Sequence, residues 1–327
     1  MVDARAERRP SESEEANRRV TPKRVFVTGG AGFIGSHLVE RLVTAGEQVA
    51  AVDDLSRGRR EWLHPDAELY EADVRDGDSL ARAIAQAAPE VVVHLAAMHF
   101  IPAVDGAPDQ AWDVNVNATR TLLDALAPRP PELLLFASTA AVYPDRRGPI
   151  AETCPPEPFD LYGKTKLEGE QLVREFESRA GTRCVVTRIF NVIGKRETNP
   201  HVVPDLVGQL RDESLPVRLG NLEPRRDYTD VADVAAALEL LLSLSDDVAH
   251  TFNLGSGRSV SVADLVRVCE QILGRHVDIK VESQRRRSQD RSELVADPSL
   301  LQDATGWKPE RSLQETLTEL LTQPGAA

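Results

Sequence analysis

The sequence predicts an α/β fold: a doubly wound parallel sheet covered by helices on both faces, followed by a smaller α+β lobe. Three observations carry this. Apolar runs of strand length alternate with segments of helical periodicity as far as Ile189. The runs are apolar throughout rather than alternating, as strands buried on both faces require. A glycine-rich turn also joins the first run to the first helical pattern, and 327 residues exceed what one core usually takes.

The first run, Val25 to Thr28, leads through Gly29, Gly30, Ala31 and Gly32 into a helical pattern from Phe33 to Ala45 that carries Ile34 and Gly35 in its first turn. Glycines at 29, 32 and 35 let the backbone turn tightly, approach a pyrophosphate and pack helix on strand. The helix N-terminus then offers free N–H groups to the anion, so the turn reads as a dinucleotide site. The second run, Val49 to Asp53, ends on an acid placed to hold adenosine ribose hydroxyls. A carboxylate there repels a 2′-phosphate and favours NAD(H), while Arg57, Arg59 and Arg60 keep NADP(H) possible.

Further strands are expected at Glu68 to Glu71, Val91 to Leu95, Leu133 to Ala137 and Cys184 to Ile189. Helices are expected at Asp78 to Ala88, Pro108 to Leu126 and Tyr162 to Ala180. In such sheets ligands lie beyond the carboxyl ends of the strands, so chemistry is sought just after each run. Past Ile189 the alternation breaks into shorter elements with loops at Gly194 to Asn199, Gly220 to Arg226 and Gly255 to Ser259. A helix at Val231 to Leu244 and a strand at His250 to Leu254 return to the first lobe. The expected organisation is a disordered tail over 1–22, a dinucleotide-binding domain over 23–190 with a return segment at about 229–254, and a substrate lobe from 191–228 and 255–323.

The net charge of −13 and a pI near 5.1 argue against nucleic acid or an anionic membrane as partners. Cys154, Cys184 and Cys269 are too few and too scattered for a disulfide framework or a zinc ribbon, which fits a reducing cytoplasm. No apolar run is long enough for a membrane span. His94 and His99 lack metal-ligand spacing, so they read as lining or core residues and no metal is implied.

Tyr162 and Lys166 stand four apart, on one helix face. A neighbouring ammonium favours a phenolate and moves the tyrosine toward a useful acid/base range. Upstream, Thr139 follows a predicted strand at the separation expected of a hydroxyl sharing the same substrate oxygen. Arg226 and the triple Arg285-Arg286-Arg287 are local basic features in an acidic chain, suited to charge-assisted bonds with phosphate.

From about Lys23 to Leu321 the chain resembles the extended short-chain dehydrogenase/reductase family, in its nucleotide-sugar epimerase, dehydratase and reductase branch. The ordered motifs are GGAGFIG, VDDLSRG, ADVRD, VVHLAA, NVNATRTLLDA, STAAVY, YGKTK, RIFNVIG, RRDYTDVADV and FNLGSG. The resemblance implies a Rossmann sheet, Tyr162 as general acid/base, Lys166 as the residue that binds the nicotinamide ribose and lowers the tyrosine pKa, and Thr139 on the reacting oxygen. It places Asp73 and Val74 at the adenine, and Leu95, Ala96, Ala97 and Asn115 along the cofactor. Asn191, Arg226 and Arg287 would hold a nucleoside-diphosphate sugar, and a homodimer is the usual assembly.

Two departures narrow the reaction. Where the sugar 4,6-dehydratases carry an Asp-Glu pair this chain has Ala140 and Ala141, and the cysteine of the GDP-mannose 3,5-epimerases is missing near Ala141. Hydride transfer at C4 remains. The segments Leu219 to Tyr228 and Ala296 to Pro309 resemble the 4-keto-6-deoxymannose reductases, so the expectation is NAD(P)H-dependent reduction of a 4-keto-6-deoxyhexose nucleotide, with an NAD-retaining 4-epimerase of the UDP-glucose type as the alternative. Intact Thr139, Tyr162 and Lys166 speak against a third reading, a non-catalytic NAD-binding sensor.

Overall fold

The computed structural model describes residues 22–213, 215–244, 250–285 and 290–323. Seven parallel strands form the main sheet: β1 (Arg24–Thr28), β2 (Gln48–Asp53), β3 (Glu68–Glu71), β4 (Val91–His94), β5 (Leu133–Thr139), β6 (Arg183–Ile189) and β10 (Thr251–Leu254). Their order is β3-β2-β1-β4-β5-β6-β10. The chain winds outward from β1 to β3, then crosses back to lay β4 against β1, with Thr28 opposite His94. That reversal opens a crevice beyond the carboxyl ends of β1 and β4.

Period-two alternation explains why the strands are apolar throughout. Val25 and Val27 of β1, with Leu133 and Leu135 of β5, face one buried cluster, while Phe26, Leu134 and Phe136 face another. Helices α1 (Phe33–Thr44), α8 (Val231–Leu241) and α10 (Ser299–Thr305) cover the first face. The opposite face is covered by α2 (Gly77–Ala87), α5 (Ala118–Leu126) and α6 (Leu161–Ala180).

The second lobe is a four-stranded sheet in which β7 (Asn191–Ile193), β11 (Ser259–Ser261) and β13 (Glu293–Leu294) gather on β9 (Arg225–Asp230). Beside it lie the pair β8 (Val217–Leu219) and β12 (Ile279–Val281) and the helices α7 (Val202–Arg211), α9 (Val262–Leu273) and α11 (Leu313–Thr322). Helix α9 starts at a reciprocal Ser261–Asp264 capping box and stops at Gly274 in the left-handed region, φ 65°.

Most boundaries fall within one or two residues of expectation. The expected helix over Pro108–Leu126 is instead α4 (Pro108–Trp112), a π turn (Asp113–Asn117) and then α5. The buried Asn115 amide sits in that turn, accepting from Met98 N at 2.7 Å and donating to Met98 O at 3.0 Å. An unexpected short helix, α3 (Ile101–Gly106), begins with Pro102 in its first turn, a position proline tolerates. Arg226, expected in a loop, is on β9. Leu301 and Trp307 pack into the first lobe's core, so part of 255–323 belongs to that lobe rather than to the substrate lobe. The tail expected over 1–22 lies, Pro22 apart, outside the described residues. No helix among the described residues is long and apolar enough to cross a membrane.

Candidate active site

The glycine turn leaves β1 at Gly29, and α1 begins at Gly32 with no side-chain cap and no acid in its first turn. Its first N–H groups, including those of Phe33 and Ile34, thus have no side-chain acceptor among the described residues and are open to an anion. A Cβ on Gly35 would lie 2.0 Å from the Gly29 carbonyl oxygen, so only glycine lets α1 close onto the turn. Asp53 ends β2, almost fully buried; it accepts from Ala31 N at 3.0 Å and Leu55 N at 2.9 Å. Burial raises its carboxyl pKa, and the two N–H bonds oppose that rise.

Of the arginines that could admit a 2′-phosphate, Arg60 pairs with Glu71 at 2.7 Å and Arg59 lies over the Trp62 ring. The Asp73 carboxylate is gripped by Arg75, which holds it below the usual carboxylate range. Val74 is buried beside it. Leu95, Ala96 and Ala97 follow β4 and are half-buried, with Ala96 N donating to Thr28 Oγ1 at 3.3 Å. Asn115 holds the next backbone segment, at Met98, and reaches Thr165 on α6 at 3.0 Å. Its side chain positions the crevice wall. His94 is a core residue as expected, bonded to Thr28 and Thr119, with burial pulling its pKa down to about 3.

Asp160 caps α6 by accepting from Gly163 N at 2.7 Å, which starts the helix so that Tyr162 and Lys166 lie a turn apart on one face. Thr139 ends β5; its hydroxyl accepts from Ala141 N at 3.1 Å and stands near enough to act on the Tyr162 phenol. Burial pushes that phenol above its ordinary range, and the Thr139 hydroxyl opposes this, as donation to a phenolate would. Lys166 is 2 % exposed, its Nζ 4.2 Å from the centre of the Phe136 ring. Burial pulls the ammonium down to about 7, with Glu170 opposing.

The expectation that Lys166 itself depresses Tyr162 is therefore not met among the chain's own groups: both side chains are shifted toward neutrality by burial. A pocket built this way fits a cofactor that brings polar groups and charge to it.

A buried network that the sequence reading missed stands behind Lys166. Arg188 makes two bonds to Glu170, at 3.0 and 2.7 Å, and one to the Tyr143 hydroxyl at 3.0 Å, while Tyr143 donates to Asn253. The readable signal was Glu170 at four residues after Lys166, one turn along the same face.

On the substrate side, Asn191 leads β7, and its Oδ1 is buried with no hydrogen-bond partner among the described residues. Arg226 is paired with Asp290 at 2.5 Å and also donates to Arg291 O at 2.9 Å, so its guanidinium fastens the 290 segment to β9. Arg287 lies outside the described residues. The fold also gathers three residues that spacing along the chain did not connect: His99, Glu197 and His201 bring one ligand atom each to within 4.8 Å of one another.

A family model described as the NAD dependent epimerase/dehydratase family matches residues 25–255. The chain is 32% identical over 306 residues to a UDP-glucose 4-epimerase of Lacticaseibacillus casei, covering 87% of this chain and 91% of that one. The UDP-glucose 4-epimerase of Thermotoga maritima, solved with UDP-glucose, superposes with a TM-score of 0.84 at 31% identity, covering 91% and 97%. The UDP-glucose 4-epimerase of Thermus thermophilus, solved with NAD, gives the same TM-score, identity and coverage. These relatives are named 4-epimerases, so they favour the alternative over the expected ketoreductase. Matched by the family model over most of its length and 32% identical to such a relative, the chain belongs to the NAD dependent epimerase/dehydratase family.

Proposed function

We propose that this protein is a nucleoside-diphosphate-hexose 4-epimerase of the UDP-glucose type, working with NAD retained in the crevice. The observation that carries the reading is the likeness to 4-epimerases along nearly the whole chain, substrate lobe included. Bound NAD would accept a hydride from C4 and return it. Tyr162 would take the proton from the C4 hydroxyl and give it back, and Thr139 would donate to the same oxygen. Lys166 would hold the nicotinamide ribose, its charge favouring the phenolate. Asp53 would take the adenosine ribose, and the N-terminus of α1 the pyrophosphate.

Beside these groups stand Ala140 and Ala141, both buried, which offer neither acid nor base for dehydration. The segments that resembled the reductases are held by contacts within the fold. The Trp307 indole donates to Asp233 O at 3.0 Å in the first lobe's core, and Asp227 accepts from Ser256, Gly257 and Ala296. Such contacts shape a lobe and are indifferent to the direction of hydride transfer.

The test is stoichiometry. Purified protein given UDP-glucose without added reductant should form its C4 epimer. Oxidation of added NADH or NADPH by a 4-keto-6-deoxy nucleotide sugar, with no conversion of UDP-glucose, would instead establish the reductase.

A further inference from the structure

Beyond β4 the chain runs through His99 into α3, and across the crevice the loop between β7 and α7 carries Glu197, Asn199 and His201. We propose that His99, Glu197 and His201 bind one divalent cation of the borderline transition-metal class, with Zn²⁺ the best match.

Two imidazoles and a carboxylate are a set that zinc takes with one position left open. Their ligand atoms lie within 4.8 Å of one another, and the two imidazole rings are stacked with planes 23° apart. Phe100 meets the His201 ring edge-on at 5.2 Å and helps fix its orientation. The side chain of Asn199 marks the point of convergence: its Nδ2 lies 3.1 Å from His99 Nε2 and 3.3 Å from Glu197 Oε1. Two lone pairs are thus aimed at one place. Since the Asn199 amide nitrogen can only donate, His99 Nε2 is the acceptor in that contact, and in the neutral ring the proton sits on the other nitrogen.

Glu197 supplies the second argument. It is 7% exposed, and no ion pair reaches it among the described residues. Its Oε1 takes bonds from Asn199 N and Nδ2, and neither of these reaches Oε2. Buried carboxylates are costly unless they are paired or coordinate a metal.

The ligand set, more than the neighbouring charges, selects the ion. Arg57 acts electrostatically on His99, and Arg59 lines the adjoining cavity of about 300 Å³ together with Glu197 and Asn199. With only one carboxylate set among nitrogen ligands, the site lacks the oxygen shell that Ca²⁺ and Mg²⁺ demand. Imidazole lone pairs suit zinc and its neighbours.

The site does not depend on the 4-epimerase reading, because the test measures binding without turnover. Calorimetric titration of the untagged, chelator-stripped full-length chain with ZnCl₂ should show one saturable equivalent. His99→Ala and His201→Ala should each weaken it by at least about tenfold, and Glu197→Gln, which keeps the side chain's shape, should do the same. Co²⁺ should give visible ligand-field bands that disappear in these variants. His276→Ala, which alters the exposed His276–Glu270 pair, should leave binding unchanged. Retained NAD binding shows that a variant is folded. The proposal is overturned by the absence of a saturable site, by Zn²⁺ affinity that survives all three substitutions, by equal loss in His276→Ala, or by preference for Mg²⁺ or Ca²⁺.

Discussion

Gly163 lies against Ala141: a Cβ built on the glycine would meet the Ala141 carbonyl oxygen at 2.4 Å. This close approach sets the start of α6, with Tyr162, beside the end of β5, with Thr139. Gly163→Ala must therefore push the helix start away from the turn. Overpacking of this kind costs about 1–3 kcal/mol, and displacement of a reacting group by about 1 Å can cost two orders of magnitude in rate. Turnover should fall at least about tenfold, with NAD still bound. Steady-state kinetics beside an NAD titration checks this; unchanged turnover would mean that the approach does not set the tyrosine's position.

Lys166 gives stability a pH dependence of predictable sign. Its folded pKa, near 7, lies below the ordinary 10.5. Below pH 7 both folded and unfolded chains hold the proton, and the fold bears the full cost of burying the charge. Between about pH 7 and 10 the unfolded chain keeps a proton that the folded chain has released, so stability rises with pH. Lys166→Met fills similar space without a charge. It should be inactive, yet more stable than the parent at about pH 6 by a few kcal/mol, a margin that shrinks toward about pH 10. Thermal melts of cofactor-free protein across that range decide it, and a margin that widens with pH would refute the assignment.

The fold was legible because its main signals are local. Continuous apolar runs gave the parallel strands, and Gly29 to Gly35 with Asp53 gave the crevice. What stayed hidden depends on contacts across the chain. The π turn at Asn115 answers to Met98, and Arg226 reads as a free phosphate ligand until Asp290, 64 residues on, is seen beside it. His99 and His201 stand 102 positions apart in the sequence, so no spacing rule could join them. The preference for a reductase came from segments around Arg226 and Trp307, whereas the relatives found along the chain are named 4-epimerases.

Asp53 should decide the choice of dinucleotide, and its removal should have two effects. The carboxylate that would accept the ribose hydroxyls also holds Ala31 N in the glycine turn. Asp53→Ala should weaken NAD(H) by about 1–3 kcal/mol, a factor of roughly 5–150, and weaken NADP(H) less, because the repulsion of a 2′-phosphate goes with the charge. Fluorescence titration of both reduced cofactors measures the ratio. A parent chain that prefers NADPH would shift the assignment to Arg57, Arg59 or Arg60.

Asn191 offers a prediction in which stability and binding move in opposite directions. Its Oδ1 is buried and unpartnered among the described residues, at the start of β7 beside the crevice. An unsatisfied buried acceptor costs the fold about 1–3 kcal/mol, which a donor on the nucleotide sugar would recover on binding. A residue kept for structure alone would lose stability when truncated. Asn191→Ala should instead leave the unliganded melting temperature unchanged or raised, and raise KM for the nucleotide sugar about tenfold or more with a smaller change in kcat. Nucleotide-sugar calorimetry beside a thermal melt separates the two roles: a lowered melting temperature with unchanged KM would place Asn191 in the scaffold and remove it from the substrate site.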